Sequence, residues 1–130
     1  MGLAWANLNK DAIRVALQEL LAKQRPDGGW SDLDSMESSA YASGRALYAL
    51  QIAGLPPSDA AYDRAVQFLL KTQLEDGSWY VKSRALALQP CFDAGFPHGF
   101  DQWISAAATS WATFALAQAP QARTAMAGER

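Results

Sequence analysis

Ala65-Val66-Gln67-Phe68-Leu69-Leu70-Lys71-Thr72-Gln73-Leu74-Glu75-Asp76-Gly77-Ser78-Trp79 repeats an earlier stretch of the chain at an offset of 49. The earlier stretch is Ala16-Leu17-Gln18-Glu19-Leu20-Leu21-Ala22-Lys23-Gln24-Arg25-Pro26-Asp27-Gly28-Gly29-Trp30. Identity falls at Ala, Gln, Leu, the second Gln, Asp, Gly and Trp. A second pairing, at an offset of 66, matches Ser39-Ala40 through Leu50 with Ser105-Ala106 through Leu116. The change of offset places a 17-residue insertion in the second unit, after Trp79. The chain therefore reads as one domain, 1–130, built from two copies of one unit: helix, Gln-x-x-Asp-Gly-x-Trp turn, second helix. The units run from about 10 to 54 and from about 58 to 118, and the remainder, 119–130, reads as a fraying tail.

Helical period supports this. Ile13, Leu17, Leu20 and Leu21 recur at i, i+4, i+7 and i+8, and Tyr62, Val66, Leu69 and Leu70 do the same. Pro26 and Gly28 stop the first helix, Asp76-Gly77 stops the third, and Ser58 before Asp59 is the expected N-cap of the helix over about 59–73. The partner helices, about 38–53 and 103–118, are thin. Ala40, Ala42, Ser43, Gly44, Ala46 and Ala49 leave one almost without bulk, and Ala106, Ala107, Ala108, Ser110, Ala112 and Ala115 do so in the other. Helices this slender approach neighbours on several sides, so they belong inside. In the insertion, Trp79 to Arg84 alternates like a short strand, and Gln89 to Phe100 is a loop rich in Pro, Gly and aromatics.

Composition excludes several classes. Alanine makes up 26 of 130 residues, which is incompatible with an all-β fold. A formal charge of −2 gives no general attraction to nucleic acid. The single cysteine, Cys91, cannot make an internal disulfide. No apolar run approaches the roughly 18 residues of a membrane span, and the first residues lack a signal-peptide pattern. The cell compartment is not legible. The fold expected is all-α: two α/α hairpins with a short strand-like insertion.

The turn has a structural rationale. Gln24 and Gln73 sit where helix carbonyls lose their partners, and an amide both donates and accepts there. Gly28 and Gly77 allow the reversal, and an indole, Trp30 or Trp79, packed over the amide would join one hairpin to the next. The two copies resemble the Gln-Trp repeat of squalene–hopene and oxidosqualene cyclases. Gly29-Trp30 through Leu50 and Phe96-Pro97-His98-Gly99 through Leu116 look like the C-terminal part of bacterial squalene-cyclase-like proteins. The resemblance covers about 10–118 and implies an α/α toroid whose inner helices surround an isoprenoid. A closed toroid holds about three times the two hairpins present, so the chain is either a segment of a longer protein or self-associates.

Such cyclases start by protonating an alkene from an Asp-x-Asp-Asp motif that opens an inner helix. Here Ser31-Asp32-Leu33-Asp34-Ser35-Met36-Glu37-Ser38-Ser39-Ala40 stands in its place, and the motif is degraded under either alignment. Two candidates for a proton donor remain, Glu37 and Asp34; the alternative is that Asp32, Asp34 and Glu37 form a solvated helix cap. Cyclases also line the cavity with π-faces that stabilise carbocations. Tyr41, Tyr48, Trp111 and Phe114 of the inner helices are the candidates for substrate contact, with core packing as the competing role. Cys91, Asp93, His98 and Asp101 carry zinc-ligand chemistry without the paired spacing of a zinc motif, so no metal and no cofactor is expected. His98 reads as a loop hydrogen-bonder. The functional expectation is a squalene/hopene-cyclase-like module of an isoprenoid-handling protein, not a competent cyclase as an isolated chain. The alternative is a non-catalytic helical scaffold binding a partner through the Cys91–Phe100 loop.

Overall fold

The computed structural model describes residues 9–86 and 92–120. Among the described residues four helices follow in order: α1 (Lys10–Ala22), α2 (Ala40–Ile52), α3 (Ala60–Thr72) and, after a 3₁₀ turn at Gly99–Asp101, α4 (Gln102–Ala117). The described residues contain no strand. Cys91 and residues 121–130 lie outside the described residues.

The starts of α1, α2 and α3 each have a polar side chain where backbone N–H groups lack partners. Asn9 accepts from Asp11 N, Ser39 from Ala42 N, and Asp59 from Ala61 N. The cap of α3 is thus Asp59 and not Ser58, because the helix begins one residue later than its sequence pattern indicates. Small residues in α2 and α4 do what their size permits, and these two helices share the most extensive helix–helix contact. A Cβ on Gly44 would stand 2.7 Å from Ala112 N and 2.8 Å from Trp111 C, so main chain lies against main chain there.

Behind this inner pair, α3 buries Tyr62, Ala65, Val66 and Leu69, one face at i, i+3, i+4 and i+7. Leu47, Leu50, Val66 and Leu69 are fully buried together with Trp79 at the centre. Truncating one such leucine to alanine costs about 2–5 kcal/mol. The first hairpin is less covered. Ile13, Leu17 and Leu20 of α1 occupy the positions of Tyr62, Val66 and Leu69, yet α1 has no buried residue.

Two expectations need correction. Trp79 to Arg84 keeps the alternation of a strand, with Trp79 and Val81 buried and Tyr80 and Lys82 exposed. It has no strand partner, because side-chain hydroxyls of α4 bind its backbone: Val81 N donates to Ser105 Oγ (3.0 Å), which donates to Val81 O (3.2 Å). The tail does not begin at 119. Ala119 is fully buried, and its N–H reaches Leu116 O at 2.9 Å.

Candidate functional site

The two Gln-x-x-Asp-Gly-x-Trp turns are built bond for bond alike. Gln24 Nε2 donates to Gly28 O and Gln73 Nε2 to Gly77 O, both at 2.9 Å. Asp27 accepts from Gly29 N and Asp76 from Ser78 N, both at 2.9 Å. Gly28 and Gly77 adopt φ of 90° and 81°, a left-handed conformation that glycine reaches at little cost. The indoles close their own hairpins: Trp30 Nε1 donates to Leu20 O and Trp79 Nε1 to Leu69 O, both at 2.8 Å.

The glutamine joins the hairpins, a part that the sequence assigned to the indole. Gln24 Nε2 also reaches Ala61 O of α3 (2.8 Å), and its Oε1 accepts from Arg64 (2.5 Å). Behind the turn a hydroxyl on the inner helix bolts the Trp backbone. Trp30 N donates to Ser43 Oγ (2.9 Å) and Trp79 N to Thr109 Oγ1 (3.0 Å). Ser43 and Thr109 are one 66-residue offset apart, so both were findable from the repeat, although the sequence pattern marked Ser43 only as small and did not single out Thr109.

Of the four aromatic candidates, three converge. Tyr48 lies 5.8 Å from Trp111 and meets Phe114 edge-on at 4.9 Å, centroid to centroid. With Ser110 they line a shallow apolar cavity of about 330 Å³ on the outside of the α2–α4 contact. Phe114 keeps 53% of its surface exposed, so its face is available to an apolar ligand. Tyr41 stands apart, with the Arg45 guanidinium 5.1 Å from its ring centre. A cation already occupies that π-face.

The two candidate acids are divided by the loop that carries them. Glu37 lines a cleft of about 350 Å³ with Phe68, Trp79, Lys82 and Arg84. Asp34 lines a separate groove of about 530 Å³ with Lys23 and Arg45. Both carboxyls are exposed, and neither faces the aromatic trio. Ser39, not one of the acids, caps α2 through its side chain. Asp32 pairs with Arg84 at 2.9 Å and so ties the first loop to the insertion.

At the two ends of the insertion Asp76, Ser78, Tyr80, His98 and Asp101 are occupied with structure. Ser78 Oγ donates to Asp76 (2.6 Å) and contacts His98 Nε2 (2.8 Å), which fits a histidine that donates to the serine oxygen. Ser78 is 4% exposed, and its proton is directed to the carboxylate, so this trio is a clip and not a nucleophile with its base. His98 has φ of 86° and stacks edge-on against Tyr80. The bonds from Ser78 hold the Asp76 carboxyl below the usual carboxylate range. Ser83 N and the Tyr80 hydroxyl do the same for Asp101, which in turn pushes the Tyr80 phenol up. Asp93 accepts from Gly95 N. Asp93 thus serves its own turn, while His98 and Asp101 share Tyr80 as a neighbour. Among the described residues no three metal-ligating side chains come together.

Comparison with known proteins gives two informative relatives. Lanosterol synthase of Candida albicans is 32% identical over 80 residues, 55% of this chain and 11% of the relative. Squalene–hopene cyclase of Zymomonas mobilis is 30% identical over 117 residues, 89% of this chain and 17% of the relative. The chain thus spans less than a fifth of the length of these curated relatives. No family model matches the chain, and no solved structure matches it. Matching nearly its whole length to one cyclase and over half to another, and with only helices for secondary structure among the described residues, the chain resembles a segment of the squalene/oxidosqualene cyclases.

Proposed function

We propose that this segment holds an isoprenoid chain against the Tyr48–Trp111–Phe114 wall and does not cyclise it alone. The observation that carries the reading is the separation of wall from acid. Three aromatic rings converge on one apolar surface, while Asp34 and Glu37 lie exposed in two other depressions. A carboxyl that protonates an alkene must be desolvated so that its proton stays on until the substrate arrives. Neither acid meets that condition. The relatives, of which this chain spans at most 17%, are named a lanosterol synthase and a squalene–hopene cyclase, and an isoprenoid is the ligand class those names favour.

The test combines binding with product analysis. Wild type, Glu37→Gln and Asp34→Asn are incubated with detergent-dispersed squalene and oxidosqualene, and products are read by gas chromatography. Saturable binding without cyclic product supports the proposal. A cyclic product from wild type that one acid variant abolishes would overturn it and identify the donor.

A second reading rests on one feature. Phe92, Phe100 and Trp103 are 79%, 84% and 57% exposed, and Trp103 Nε1 donates to Phe92 O at 3.0 Å. Such a patch suits a helical scaffold that docks a protein partner. Under that reading Trp103→Ala or His98→Ala abolishes the interaction while helicity is kept, and squalene binding is absent.

A further inference from the structure

We infer that two copies of this chain associate head to tail, reusing between molecules the interface that joins repeat one to repeat two within a molecule. The inference rests on the repeat geometry and not on the ligand reading, and its contributing face includes Ser110, which also lines the aromatic cavity.

The internal interface has two sides. Repeat one contributes Gln24, Gly28 and Gly44. Repeat two receives them: Gln24 on Ala61 O and Arg64, Gly28 against Arg64 O, and Gly44 against Trp111 and Ala112. Gly28 is buried there, and a Cβ on it would lie 2.5 Å from Arg64 O.

Both sides recur among the described residues, the contributing side exposed and the receiving side exposed except at Ala46, which is buried, and Ala49, which is half-buried. By the offsets of 49 and 66, the contributing side recurs in repeat two as Gln73, Gly77 and Ser110, all exposed. A Cβ on Gly77 would meet nothing nearer than Gln73 Nε2 at 3.9 Å. The receiving side recurs in repeat one as Ala12, Val15, Arg45 and Ala46, with Ala49 in the place of Ala115. Arg45, Ala46 and Ala49 line the 530 Å³ groove, and Val15 is 51% exposed. The helix behind that groove is underpacked to match. Tyr62, Val66 and Leu69 of α3 are 2%, 0% and 0% exposed, whereas Ile13, Leu17 and Leu20 of α1 are only half-buried.

A partly exposed face whose twin is buried, apolar at Val15 and the alanines and charged at Arg45, together with a turn whose twin is capped, extends the pattern of an interface already present. The occupant that fits both is another copy. Its Gln73 turn meets the start of α1 as the Gln24 turn meets α3, and its α4 enters the groove. The copy is not perfect: Ser110 replaces Gly44 and keeps the inner helices further apart, and Val15 offers no counterpart to the Arg64 guanidinium. Association between molecules is therefore weaker than the internal contact and depends on concentration. Because the two faces differ, the contact is heterologous, and blocking either face on one molecule leaves the other usable.

Sedimentation equilibrium on the 130-residue chain tests this, with circular dichroism to confirm folding. Wild type is expected to give multiples of 14.1 kDa that rise with concentration. Ser110→Glu blocks the contributing face. Ala49→Glu blocks the receiving face, and Val15→Glu on exposed α1 serves if Ala49→Glu fails to fold. Each variant alone should be monomeric, and a mixture of one from each face should give dimers and nothing larger. A wild type monomeric up to about 100 µM, the behaviour expected if only further hairpins of a longer chain cover these faces, would overturn the proposal. So would folded variants that still associate alone, or a mixture that fails to pair.

Discussion

Gly28 and Gly77 occupy the same place in the same turn, with nearly the same φ, and differ in what stands beside them. Replacing each by alanine separates the cost of backbone conformation from the cost of contact between hairpins. An L-residue in the left-handed region costs roughly 1–2 kcal/mol, and the unfolded chain, stiffened by the added methyl, returns about 0.4–1 kcal/mol. Gly77→Ala should therefore destabilise by about 1 kcal/mol, since its Cβ enters open space. Gly28→Ala carries the same term and adds a methyl 2.5 Å from Arg64 O and 3.0 Å from Arg64 C. Main chain cannot swing aside as a side chain can, so α3 must move away and loosen the bonds from Gln24. Overpacking of this kind costs about 1–3 kcal/mol, which gives roughly 2–4 kcal/mol in total. For an unfolding slope of about 2 kcal/mol per molar urea, the two midpoints should differ by about 0.5–1.5 M. The assay is urea unfolding by Trp fluorescence, at a protein concentration low enough to keep the chain monomeric. Equal midpoints within about 0.2 M would refute the claim that the first turn is clamped by the second hairpin.

Three other outcomes follow from the same geometry. Ser43→Ala leaves the buried Trp30 N–H without its partner and should cost about 1–3 kcal/mol in the same urea assay; a loss below about 0.5 kcal/mol would show that the hydroxyl bolt contributes nothing. Trp30→Phe removes the 2.8 Å bond to Leu20 O while keeping a ring, so it should destabilise without abolishing α-helical circular dichroism. Asp76 and Asp101 have folded pKa values below their unfolded ones, so their stabilisation is complete above the unfolded value, near pH 4, and is lost as pH falls through the folded value. Asp76→Asn should accordingly flatten the decline in melting temperature between about pH 4 and 2; an unchanged decline contradicts the assignment.

Much of the fold was legible because it is written twice. The matched turns at Gln24–Trp30 and Gln73–Trp79 and the thin helices flanking Gly44 and Ser110 gave element order and burial without tertiary information. Partners distant in sequence were not legible. Gln24 joins the hairpins through groups 37 and 40 residues away, and no local pattern points to them. The insertion alternates like a strand because Trp79 and Val81 pack inward. Whether such a segment finds a ladder or a helix hydroxyl is decided by what lies opposite, here Ser105 and Thr109. The candidate site divides in the same way. Tyr48 and Phe114 meet because the repeat places them on facing helices, so spacing sufficed. Asp34 and Glu37 are three residues apart but sit in a non-helical loop, where spacing carries no facing rule, and they open into different depressions.

The central claim is that the wall formed by Tyr48, Trp111 and Phe114 takes an isoprenoid chain, and calorimetric titration with a soluble isoprenoid alcohol such as farnesol tests it most directly. Phe114→Ala is the informative variant, since a side chain already 53% exposed can be truncated without opening the core. Saturable one-to-one binding to wild type is expected, weakened about tenfold in the variant, the loss of roughly 1.4 kcal/mol expected for one aromatic contact. Absence of saturable binding, or equal affinity in wild type and variant, would contradict that claim.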